Sequence, residues 1–150
     1  MKNIERFNVL TAHIFGVLYA SFPMARPLHE AEVMQAIKAS LEFGPNEETL
    51  PGKFFVNTVM WLEETGYIHS RGSGQDRKIV LMPKALEALN ATLSALEGKK
   101  AKEDEKSVGE RLSEVATEAG KDLAKETRKQ VASQLVGQVI GHAMKAFSLP

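Results

Sequence analysis

Residues 51–97 constrain the fold more than any other part of the chain. PGKFFVNTVMWLEETG has one apolar face and stops on Gly66, and YIHS follows directly. A polar turn, RGSGQDRK, separates YIHS from the β-rich run IVLM. PKALEALNATLSAL then opens on a proline, which suits the first turn of a helix. The predicted order is helix, strand, glycine-bearing turn, strand, helix. At 100° per residue, Phe55, Val59 and Leu62 share the inner side of the first of these helices, flanked by Phe54 and Thr58. Lys53, Asn57, Met60 and Glu64 fall on the other side. The turn from Arg71 to Lys78 is too long for a two-residue hairpin loop.

Two more helices precede this block. Ile4, Phe7, Leu10, Thr11, Ile14, Val17 and Leu18 recur at helical spacing and predict an amphipathic helix that Phe22-Pro23 ends. Arg26-Pro27-Leu28 starts a second segment whose inward face is Ala31, Val33, Met34, Ile37 and Leu41. EFGPNEETL, residues 42–50, reads as a loop punctuated by Gly44 and Pro45.

Three helices followed by a hairpin resemble the winged helix-turn-helix family of transcription regulators over residues 4–97. The residues that carry the resemblance are the helix end WLEETGYI, the turn SRGSGQDRK and the ending LMPKALEAL. In that ending Met82 and Ala85 stand where such regulators commonly have threonine and glycine. The fold implied is mainly α with a small β-hairpin, a winged helix-turn-helix followed by C-terminal amphipathic helices. The resemblance also implies a third helix that enters the DNA major groove, where base edges present a hydrogen-bond code. By position, Lys53, Asn57 and Thr58 would meet bases, and Arg71, Gln75, Arg77 and Lys78 would meet phosphates of double-stranded DNA.

Charge argues against a purely electrostatic grip on nucleic acid. Nineteen basic side chains balance nineteen acidic ones, so DNA contact would need a local patch, and the turn at 71–78 is the most basic part of the N-terminal region. The outer side of the third helix carries only one basic residue, and Met60 and Trp61 form an edge commoner in protein contacts than in groove reading. That edge supports a second expectation, a winged-helix protein–protein adaptor without DNA contact.

There is no cysteine, which removes thiol chemistry and cysteine-ligated zinc and fits a reducing, cytoplasmic setting. His13, His29, His69 and His142 lie far apart without metal-ligand spacing, so no metal and no cofactor is expected. No nucleophile elbow or phosphate-binding loop is present, and an enzyme is not expected. The N-terminus lacks the pattern of a secretory signal.

GKKAKEDEK, residues 98–106, is small or charged throughout and divides the chain into a winged domain at 1–97, a charged linker and a helical arm at 107–150. In the arm, Val108, Leu112, Val115, Ala119 and Leu123 form a thin apolar stripe. Further on, Leu135, Val139, Ile140, Met144 and Phe147 make a stronger one, and Gly137 and Gly141 have the GxxxG spacing that permits close helix approach. Such an arm must fold back, pair with a second copy or dock elsewhere, because exposed apolar surface invites aggregation. The expectation is a homodimer formed through these helices, with Met60, Trp61 and the arm as interface residues. A membrane anchor is the weaker alternative, because the polar face lacks the several cations that an anionic bilayer favours.

Overall fold

A computed structural model describes residues 1–117 and 125–148, with the side chains of 125–127 and 145–148 left out of the description. The first helix, α1 (Asn3–Ser21), lies at the centre of the fold because it is apolar on nearly every side. Leu10, Ile14 and Leu18 are buried on the face that the spacing predicted, and Val9, Ala12, Phe15 and Gly16 are buried on the others. Ile4, assigned to the inner face, is instead exposed. An amphipathic reading therefore captures only part of α1, because covering elements arrive from several directions.

Around α1 stand α2 (Glu30–Leu41), α3 (Leu50–Glu64), the strands β1 (Ile68–Arg71) and β2 (Lys78–Leu81), and α4 (Pro83–Asn90). The helix predicted over 83–96 breaks at Ala91, and a single turn, α5 (Leu93–Leu96), follows with Thr92 as its N-cap. β1 and β2 pair antiparallel, with Ile68 opposite Leu81 and Arg71 opposite Lys78. Arg26, between α1 and α2, makes two backbone hydrogen bonds to Ile79 of 2.7 and 2.9 Å and ties that segment to the hairpin. The chain is thus mainly helical with a small two-stranded antiparallel sheet, an arrangement compatible with a winged helix.

Arg6 fixes α1 to the end of α2. Its guanidinium donates to the carbonyls of Leu41 (2.7 Å) and Glu42 (3.0 Å) and to Asn3 Oδ1 (3.2 Å), and it lies 4.3 Å from the Phe43 ring centre. Carbonyls at a helix C-terminus lack partners within the helix, so a buried cation is well placed there.

The C-terminal helices, α6 (Val108–Ala116) and α7 (Lys125–Ser148), fold back on α1 and share its core. Ser107 and Glu110 form a capping box that starts α6. Gly16 and Gly109 allow α1 and α6 to touch closely. A methyl at Gly16 would lie 2.7 Å from the Leu112 carbonyl carbon, and one at Gly109 would run into the Tyr19 ring. The charged segment at 98–106 is mostly exposed but closed at its neck, where Val108 N donates to the Ala91 carbonyl at 2.8 Å. Glu105 also accepts from the backbone amides of Ser94 and Lys102. Ala119 and Leu123 of the predicted stripe lie outside the described residues.

Candidate protein-docking surface on the third helix

Pro51 in the first turn, an apolar face at helical spacing and Gly66 just beyond the end define α3. Phe55, Val59 and Leu62 are buried as their spacing predicted. Thr58 is buried with them, so its hydroxyl cannot reach a base edge from outside the fold. Lys53, Asn57, Met60 and Glu64 lie outward. Asn57 donates its side-chain amide to the Lys53 carbonyl at 2.8 Å, which holds it against its own helix.

The hairpin brings together the other predicted phosphate contacts. Arg71, Gln75, Arg77 and Lys78 are all exposed. Arg77, however, is engaged: it donates to Glu63 Oε2 and to Ser70 Oγ, each at 2.9 Å. Glu63 also accepts from the Ser70 amide at 3.3 Å, so one carboxylate from the last turn of α3 pins the hairpin. That pairing offsets part of the positive charge read from the sequence and leaves Arg71 and Lys78 as the cations where the strands meet the turn.

Trp61 is held by two rings. Phe7 meets it edge-on with centroids 5.3 Å apart, and Tyr67 stacks on it at 5.9 Å with an 18° tilt. Even so, 39% of Trp61 remains exposed, and Met60 at 48% and Val56 at 47% are exposed further round the same helix. Trp61 continues into a groove of about 550 Å³ whose walls include Ile4, Phe7, Phe54, Ile140 and Met144. The groove joins the N-terminus of α1, the flank of α3 and the far half of α7. Among the described residues no charged side chain lines it. A rigidly supported, half-exposed aromatic beside an apolar groove is the usual form of a protein-binding anchor.

The sequence-predicted interface residues divide here. Leu135 and Val139 are fully covered by the chain's own core, Ile140 is partly covered, and Met144 is 57% exposed. The side chain of Phe147 lies outside the described residues. Gly137 and Gly141 do not bring another helix of this chain close. Both face outward, with nothing within 4 Å of where a Cβ would sit, while Ala132 and Ala143 face the core. Ile4, Phe7 and Phe54 were missed as groove residues, because a helical wheel cannot show that α7 ends beside α1 and α3.

A second cleft, of about 580 Å³, lies between the hairpin tip and α2–α3, with His29, Gln75 and Arg77 among its polar walls. Among the described residues no cluster of His, Asp or Glu is arranged to hold a metal ion, and no helix is long and apolar enough to cross a membrane. No protein-family model, curated protein or solved structure matches the chain.

Proposed function

We propose that the chain is a winged-helix protein-interaction module that uses the helix normally given to DNA to hold another protein. The observation that carries this reading is the outer side of α3. Val56, Met60 and Trp61 are exposed on α3 and Trp61 opens onto an apolar groove, while Asn57 is bonded to its own helix. Three helices, a hairpin and a neutral overall charge are consistent with a winged helix that has no electrostatic hold on duplex. Exposed Met60 and Trp61 on the would-be reading helix suit a protein surface better than stacked, hydrated base edges.

The second reading, a DNA-binding regulator, rests on the exposure of Arg71, Gln75 and Lys78 at the hairpin. Two measurements separate the readings. A photo-crosslinking residue at Met60 is expected to trap a protein in the cells that make this chain. Fluorescence anisotropy with a mixed-sequence duplex at low salt is expected to give no affinity above a neutral control. Duplex binding that weakens steeply with salt and disappears in Arg71→Ala/Lys78→Ala would establish the DNA reading instead.

A further inference from the structure

The occupant of the α3 surface is written in its charge pattern. Lys53, Asn57, Met60 and Glu64 stand at i, i+4, i+7 and i+11 and form one exposed stripe along the helix. A cation opens the stripe and a carboxylate closes it. Among the described residues neither Lys53 nor Glu64 makes an ion pair. Val56 flanks the stripe on one side and Trp61 on the other, both exposed. Such a surface is complementary to itself when reversed. If a second α3 lies antiparallel across a two-fold axis between residues 58 and 59, Lys53 falls opposite Glu64 of the second copy, and Glu64 opposite its Lys53. The ends are about 16 Å apart at 1.5 Å rise per residue, so both pairs form at once.

We propose that the chain forms an antiparallel homodimer through α3, with Met60 at the centre and the two Lys53–Glu64 pairs fixing the register. This rests on the reading of α3 as a protein-docking surface and names its partner as a second copy. Two-fold symmetry requires a self-complementary patch, and α3 supplies one from a single element. The apolar residues supply the affinity. Exposed ion pairs add little of it, but a like-charged juxtaposition penalises every other register. The predicted DNA contacts Lys53 and Asn57 would lie inside this interface. Homodimerisation is therefore retained from the sequence, while its site moves from the C-terminal arm to α3.

Multi-angle light scattering on the full chain tests the proposal with charge-swapped variants. Wild type is expected to be a dimer. Lys53→Glu places carboxylates opposite Glu64, and Glu64→Lys places ammonium groups opposite Lys53, so each variant alone is expected to dimerise at least tenfold more weakly. Mixed in equal amounts, the two are expected to form a heterodimer, because both cross-pairs are then attractive. Circular dichroism checks that each variant is folded, and the mixture repeats the test if either alone is poorly behaved. A wild type that stays monomeric at the highest soluble concentration overturns the proposal. So does a mixture that fails to associate, or single variants that dimerise as tightly as wild type. A monomer that still crosslinks from Met60 to a different protein overturns only the self-pairing. A monomer with no crosslink overturns the docking reading as well.

Discussion

His13 shows how a single side chain can tie stability to pH in a protein with no net charge. It faces the small gap where α1 meets α2, α6 and α7, near Arg128. Burial, reinforced by the positive charges of Arg128 and Arg26, pushes its pKa down to about 4. The unfolded chain accepts a proton near pH 6.5, which the folded chain refuses until about 4. The stability that neutral His13 contributes is therefore complete above pH 6.5 and lost as pH falls from there towards 4. At about 1.4 kcal/mol per unit, and allowing for its partial exposure, the loss between pH 7 and 4.5 should be roughly 2 kcal/mol. Urea denaturation of wild type and His13→Gln across that range checks it, since the variant should lose most of the slope. Glu105 acts lower on the scale. Hydrogen bonds from Ser94, then from the Lys102 amide, hold its carboxyl at about 2, so its contribution fades only below about pH 4.5.

The packing of α1 on α6 turns on two glycines, and the two outward glycines of α7 make a natural control. Gly16→Ala would press a methyl against the Leu112 backbone, which cannot rotate away, and should cost about 2 kcal/mol or more. Gly137→Ala meets nothing and should gain up to about 1 kcal/mol from better helix propensity. Chemical denaturation of both variants distinguishes a packing glycine from an idle one. If Gly16→Ala is as stable as wild type, the close contact of α1 with α6 is wrong. The contrast also shows what the sequence could reveal. GxxxG is a spacing, and spacing alone cannot say which side of a helix meets a neighbour. Gly16 carries no such signature, yet it sits at the tight contact. Local signals did identify α3 well: Pro51, the buried triad of Phe55, Val59 and Leu62, and Gly66 all act within one helix. The groove beside Trp61 was not legible, because Ile4, Phe54 and Met144 come together only through tertiary packing. The Glu63–Arg77 pair was hidden for the same reason, being set by how the hairpin closes on the end of α3.

Taken together, the described helices contribute to one core. Val108, Leu112, Leu135, Val136 and Val139 are each no more than 1% exposed and cluster with Leu10, Ile14 and Phe15. Removing everything after residue 97 would uncover α1 along the sides that α6 and α7 protect. The 1–97 fragment should therefore lose its cooperative thermal transition and bind a hydrophobic dye, whereas a stable, cooperatively melting fragment would show that the N-terminal elements suffice. The same arrangement bears on how the protein is made. A ribosome delivers α1 first and α7 last of these elements, so the central helix waits with its apolar sides uncovered until more than a hundred further residues have emerged. During that interval the chain is most in need of a chaperone, and substitutions that slow the arrival or docking of α7 should lower yield before they lower the stability of finished molecules.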